Sequence, residues 1–233
     1  MSKRAKESLE DYVYESIKSA ILTRKIPLKM HLSEEHLAEA FSVSRTPIRT
    51  VLKRLHYEKM IQLLPNKGAF INQPSTKEIE DVFQLRTLLE TEAVKIACRN
   101  ATEEQLDELE SLTYAEEELY KQDKYDKAIQ ITSDFHQAIV MVSGNEIMGN
   151  YSRELINITN VYLAYHEHAD KESPLCPNEH RMIIQAIRKR DEAEAVRVFL
   201  EHFTTVKKHL NFKKENEEIT LSDIFKPYSK SKQ

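Results

Sequence analysis

The sequence predicts a mainly α protein in two parts, a short N-terminal module of three helices closed by a small β-hairpin and a longer all-helical bundle. Three observations predict it. The 233 residues hold 3 glycines and no tryptophan, and their long runs of Glu, Lys, Leu, Ile and Ala favour helix over strand. The stretch from Leu32 to Leu55, LSEEHLAEAFSVSRTPIRTVLKRL, carries helical periodicity on both sides of a short break. Charge divides where the pattern does. Residues 1–74 hold 13 Lys and Arg against 8 Asp and Glu, a net of +5, and the remainder holds 21 against 30, a net of −9.

The N-terminal elements follow in order. Leu9, Val13, Ile17 and Ile21 recur every four residues, an amphipathic helix able to pack across what comes next. The next helix buries Leu37, Ala38 and Phe41, and Val43 sits in the turn as an apolar plug. Ser44 or Thr46 can cap the helix after it, and Pro47 is tolerated in a first turn because its missing N–H would be unpaired there. Ile48, Val51, Leu52 and Leu55 then form one apolar face, with Arg45, Arg49 and Lys53 on a neighbouring exposed one. A helix that offers hydroxyls and guanidinium groups from its N-terminal turn suits a DNA major groove. Downstream, Ile61 to Leu64 and Ala69 to Ile71 flank Pro65-Asn66-Lys67-Gly68, a two-strand hairpin with Lys67 at its tip. Helix, helix-turn-helix and hairpin make a winged helix-turn-helix.

At VSRTPIRTVLKRL and PNKGAFI the chain resembles the recognition helix and wing of the GntR family of bacterial transcription regulators. The resemblance covers about the first third of the chain. It implies that Ser44, Arg45, Thr46 and Arg49 face DNA, with Lys67 and Gly68 contacting it from the wing. The departures are losses of glycine: Pro27-Leu28 stands where Pro-Gly is frequent, Ser42 where a turn glycine is common, and Lys59-Met60 where Gly-Leu often follows the glutamate.

The net charge of −4 taken alone argues against nucleic acid. The split reverses that impression, because a basic module on an acidic body neutralises phosphates with one part only. Cys98 and Cys176 lie far apart with no Cys-x-x-Cys motif, as expected of thiols in a reducing compartment. No signal peptide and no apolar run of membrane-spanning length is evident, so a cytoplasmic protein without a membrane partner is expected.

Gln73-Pro74-Ser75-Thr76 ends the hairpin, and Ser75 or Thr76 can cap a long helix whose inner face is Ile79, Val82, Phe83, Arg86, Leu89, Ala93 and Ile96. Helical segments follow at 102–121, 124–143, 145–169, 178–189 and 191–210, broken at Ser143-Gly144-Asn145 and at Pro174 to Asn178. The expected division is 1–74 for the DNA-binding module, 75–211 for the helical module, and 212–233 for a polar tail with one apolar patch at Ile219 to Phe225.

Three of the nine histidines sit on apolar helical faces. His136 shares one with Thr132, Ile139 and Val140, His180 opens a helix continuing through Ile183, Ile184 and Ile187, and His202 lies among Val198, Phe199 and Val206. Each alone reads as a hydrogen-bonded core residue, while three converging would hold a divalent transition metal. Periodicity leaves both readings open, because 44 and 22 residues separate the three. Arg86 on an apolar face needs an anion. Glu90 one turn on is the local candidate, and a carboxylate ligand gripped through two parallel hydrogen bonds is the functional one. His166 and His168 are expected to be solvated.

The stretches DFHQAIVMVSGNEIM, EHRMIIQAIRKRDEAEAV and EHF resemble the FCD ligand-binding domain of the FadR-type branch, an all-helical bundle whose members often hold a metal with three histidines and an aspartate. The resemblance implies His136, His180 and His202 as ligands to a metal of the Zn, Ni or Mn class, and Arg86 as a contact to a small organic-acid effector. The aspartate position is Thr132, a neutral and weaker ligand that would complete the metal site, and Asp134 is no substitute, lying about 200° around the helix from His136. Together these features imply a homodimeric transcription regulator and no enzyme. It would bind a double-stranded inverted-repeat operator and answer to an effector. The competing readings are a metal-dependent hydrolase using the three histidines and an architectural DNA-binding protein with no effector.

Overall fold

The computed structural model describes residues 8–166 and 175–208, apart from the side chains of Asp126, His166, Leu175 and Cys176. The chain divides into two compact units that part between Gln73 and Pro74. The tail from 212, its apolar patch, His168 and residues 209–211 lie outside the described residues.

The N-terminal unit contains α1 (Leu9–Leu22), α2 (Glu34–Phe41), α3 (Arg45–Tyr57), β1 (Ile61–Leu64) and β2 (Gly68–Ile71). Ser8 caps α1 and Ser33 caps α2 through their side chains. Ser44 occupies the cap position of α3 without a side-chain cap bond, which leaves its hydroxyl on the surface. Both α1 and α2 pack on α3, and Val13, Ile17, Ile21, Leu37, Ile48, Leu55, Ile61 and Ile71 are fully buried. Leu9 is 51% exposed, so the apolar stripe of α1 starts one turn later than its spacing predicts and adds Ala20 and Leu22. The hairpin pairs antiparallel from Ile61 with Ile71 to Leu64 with Gly68. Leu32 N–H donates to the Ala69 carbonyl at 2.8 Å, tying the approach to α2 onto the wing.

The C-terminal unit contains α4 (Thr76–Asn100), α5 (Glu103–Lys121), α6 (Tyr125–Val142), α7 (Glu146–His166), α8 (Leu175–Arg188) and α9 (Glu192–Lys208). A capping box of Ser75 and Glu78 starts α4, and one of Thr102 and Gln105 starts α5. The long α4 lies against α6, α7, α8 and α9, while α5 packs on α6 and α8, and α8 on α9. Phe83, Phe135, Ile139, Ile183, Ile187 and Phe199 lie in the shared core. Arg190 closes the end of α4 by donating to the carbonyls of Ala97, Cys98 and Ala101. Cys98 is a buried free thiol whose pKa burial pushes up. The expected break at Pro174 to Asn178 is corrected from Leu175 onward, Pro174 lying outside the described residues. α8 begins at Leu175, Pro177 sits in its first turn where no N–H is needed, and His180 lies in the second turn instead of opening the helix. No helix among the described residues is long and apolar enough to cross a membrane.

Candidate metal centre and nucleic-acid interface

Helices α6, α8 and α9 bring His136, His180 and His202 to one point in the core. All three are buried, at 4%, 0% and 1% exposure. The His202 Nε2 lies 3.3 Å from that of His136 and 3.4 Å from that of His180. Every Nδ1 is taken by a glutamate from another part of the bundle. His136 Nδ1 donates to Glu90 at 2.7 Å, His180 Nδ1 to Glu116 at 2.9 Å, and His202 Nδ1 to Glu179 at 2.7 Å. A carboxylate accepts, so it fixes the proton on Nδ1 and leaves the Nε2 lone pair facing inward. Three lone pairs then meet with no proton between them. That arrangement repels itself unless a cation sits at the centre. Three nitrogens bound to one zinc-like ion at about 2.0–2.1 Å, spread tetrahedrally, would stand roughly 3.3–3.4 Å apart, so the donor set fits a transition metal.

Electrostatics agree with neutral rings at His136 and His202. Burial pushes the His136 pKa down to about 3, against the pull of Glu90, and burial likewise lowers that of His202. For Glu90 burial works upward but Arg86 and His136 outweigh it and hold the carboxyl at about 2. Burial also pushes the Glu179 carboxyl upward, and His202 reverses it to a net lowering. The glutamates escaped the sequence reading, apart from Glu90 as the mate of Arg86. Glu116 continues the buried row Leu106, Leu109 and Thr113 of α5, which was the available signal, and it is fully buried.

Thr132 lies one turn before His136 and donates its hydroxyl to Glu116 Oε1 at 2.5 Å. It therefore stands behind His180 through a shared carboxylate. Asp134 is exposed and accepts from Gln130, as its helical angle predicts. Arg86 is 4% exposed; its Nε donates to Glu90 at 2.6 Å, and its Nη2 is buried with no hydrogen-bond partner. Arg86, Thr132, Ser133, His136, Asn160 and His202 form the polar wall of a cavity that Phe83, Tyr120, Ile156, Leu163 and Phe203 close on the apolar side. Glu90 thus links the guanidinium to the histidine cluster, and the unsatisfied Nη2 leaves one donor edge for an anion.

In the N-terminal unit Ser44, Arg45, Thr46, Arg49 and Lys53 are exposed along one side of α3, opposite its buried face. Lys67 and Gly68 are exposed on the wing. Gly68 has φ +92, which favours glycine, and a Cβ there would lie 2.1 Å from His31 Nε2, so the exposed His31 ring would have to turn aside. Arg45 is paired with Glu35 and Arg49 with Glu34, both at the start of α2.

A winged helix with an exposed basic face, joined to a helical bundle with a buried polar cavity, defines a two-domain DNA-binding regulator. Residues 9–71 match the gntR family of bacterial regulatory proteins and residues 81–205 match the FCD domain. The chain belongs to the GntR family and carries an FCD domain; it is a DNA-binding transcription regulator. It is 25% identical over 198 residues to the HTH-type transcriptional regulator YdhC of Bacillus subtilis, covering 84% of this chain and 88% of the relative. It is 28% identical over 167 residues to the Nta operon transcriptional regulator of Aminobacter aminovorans, covering 70% and 77%. Its fold is that of E. coli McbR/YncC, with a TM-score of 0.72 at 21% identity over 86% of this chain and 96% of that one.

Proposed function

We propose that the chain is a cytoplasmic homodimer that binds an inverted-repeat operator through residues 1–74 and senses a small organic acid through residues 75–211. In this reading His136, His180 and His202 hold a divalent metal of the Zn, Ni or Mn class, with Thr132 beside the position a fourth protein ligand would take. Arg86 grips the effector carboxylate through its unpaired Nη2. Ser44, Arg45, Thr46 and Arg49 meet the major groove, and Lys67 and Gly68 approach from the wing. Effector bound between the helices changes DNA affinity by favouring one of two arrangements of the dimer.

The observation that carries the reading is the set of three buried Nε2 atoms, each proton fixed outward by a glutamate. The metal would supply a second positive centre beside Arg86 for an anionic effector on the polar wall of the cavity. The test is metal content by mass spectrometry on untagged protein purified without chelator, beside His180→Ala. We expect close to one transition-metal ion per chain, lost in the variant while its helical content persists. Metal-free wild-type protein whose melting temperature ignores added Zn²⁺, Ni²⁺ and Mn²⁺ would remove the metal from this reading and leave Arg86 as the effector anchor.

A further inference from the structure

Two glutamates open α2 on the side of the molecule that meets a polyanion. Glu34 and Glu35 stand beside Arg49 and Arg45, two of the residues placed against DNA. Unpaired, these carboxylates would repel phosphate. Their geometry gives them another task, and the two pairs are unlike. Glu35 accepts a single bond from Arg45 Nη2 at 2.5 Å, with both side chains 59% exposed. Glu34 accepts side-on from Arg49, with Nε at 3.0 and 3.2 Å from its two oxygens and Nη2 at 2.8 Å from one of them.

A guanidinium has two forked edges. Glu34 occupies the edge made by Nε and Nη2, so the outer edge of Nη1 and the second Nη2 hydrogen projects from α3. That outer fork matches the O6 and N7 acceptors of a guanine. Arg49 has also surrendered its rotamers before DNA arrives, and its charge is matched. A neutralised, oriented arginine adds little counterion release and much discrimination, whereas Lys53 and Lys67 remain for phosphate. We propose that Glu34 is a positioning residue for sequence readout, holding Arg49 end-on to a base and away from the backbone. The proposal rests on the reading that the N-terminal face of α3 contacts DNA.

The experiment compares a duplex selected in vitro on the full-length wild-type protein with a shuffled duplex of equal length, by fluorescence anisotropy across a salt series. Glu34→Gln should tighten binding to the shuffled duplex and steepen its log–log salt slope by about 1, because the released Arg49 joins the phosphate contacts. It should lower the selected-to-shuffled affinity ratio about tenfold or more. Glu34→Asp keeps the charge and loses the reach, so the ratio should fall while shuffled binding and slope stay at wild type. Glu34→Gln added to Arg49→Gln should leave the ratio where Arg49→Gln alone puts it. Equal tightening on both duplexes by Glu34→Gln, or an unchanged ratio for Glu34→Asp, would overturn the role of Glu34. An unchanged ratio for Arg49→Gln would instead overturn the contact assignment beneath it.

Discussion

Arg49 in the N-terminal unit and Arg86 in the C-terminal unit are each held side by side with a glutamate, in opposite surroundings. The Arg49 and Glu34 side chains are 59% and 36% exposed, those of Arg86 and Glu90 5% and 0%. On the surface, water competes for both partners and salt screens them, so the pair adds little to stability and its effect is to orient Arg49. In the bundle no solvent substitutes for a lost partner, and each glutamate is held by more than one neighbour. Glu90 joins Arg86 to His136, and Glu116 joins Thr132 to His180. The exposed face of α3 is thus lined by pairs that add little to stability, and the core of the bundle by a network that fails as a unit.

Breaking the two pairs in parallel tests the contrast most severely. Glu90→Ala strands a buried guanidinium and removes the acceptor of His136 Nδ1, a loss of about 3–5 kcal/mol for a broken buried pair. The melting temperature should fall by roughly 10 °C. Glu34→Ala should leave it within error. Glu90→Gln, which keeps hydrogen-bonding atoms and gives up the charge, should fall between. Calorimetry on the full chain reads all three, and equal small shifts for Glu90→Ala and Glu34→Ala would erase the distinction between the units.

The same contrast explains what the sequence made legible. The DNA-reading unit rests on spacings within one short stretch: apolar face, basic face, cap position and wing glycine all lie between Leu32 and Ile71. In the bundle the three histidines were visible because imidazole on an apolar helical face is unusual. Their outer partners were not, since His136 reaches 46 residues back to Glu90 and His180 reaches 64 back to Glu116. A glutamate is expected at the surface unless its partner is known, and these partners are set by helix packing. The start of α8 was misplaced for the converse reason, because Pro177 reads locally as a break while a first turn accepts it.

Thr132 sharpens the contrast from inside the network. Its hydroxyl is a donor facing Glu116, where an aspartate would set a second carboxylate against the first. Thr132 and the glutamate behind His180 are therefore matched to each other. Thr132→Asp should lower the melting temperature of chelator-treated protein by several degrees, through like-charge repulsion. Added Zn²⁺ should more than restore it, with affinity raised about tenfold in a competition titration, a step comparable to that of changing an outer-shell partner. Metal affinity unchanged from wild type would place Thr132 outside the reach of the ion.

The smallest effect belongs to the surface of the N-terminal unit. Ser42, where the family resemblance led one to expect glycine, ends α2 at φ 55 and ψ 43, the left-handed region. The chain holds this conformation because the Ser42 N–H bonds to the Glu39 carbonyl and the Val43 N–H to that of Ala38, which fixes the turn between α2 and α3. A Cβ in that region costs about 1 kcal/mol, part of which glycine returns as greater freedom in the unfolded chain. Ser42→Gly should therefore stabilise the unit by about 1 kcal/mol or less, read by slower amide exchange in α2 and α3 of the full-length protein. Ser42→Ala keeps the Cβ and should give no gain. Equal protection in both variants would show that this turn carries no strain and that its glycine was never needed.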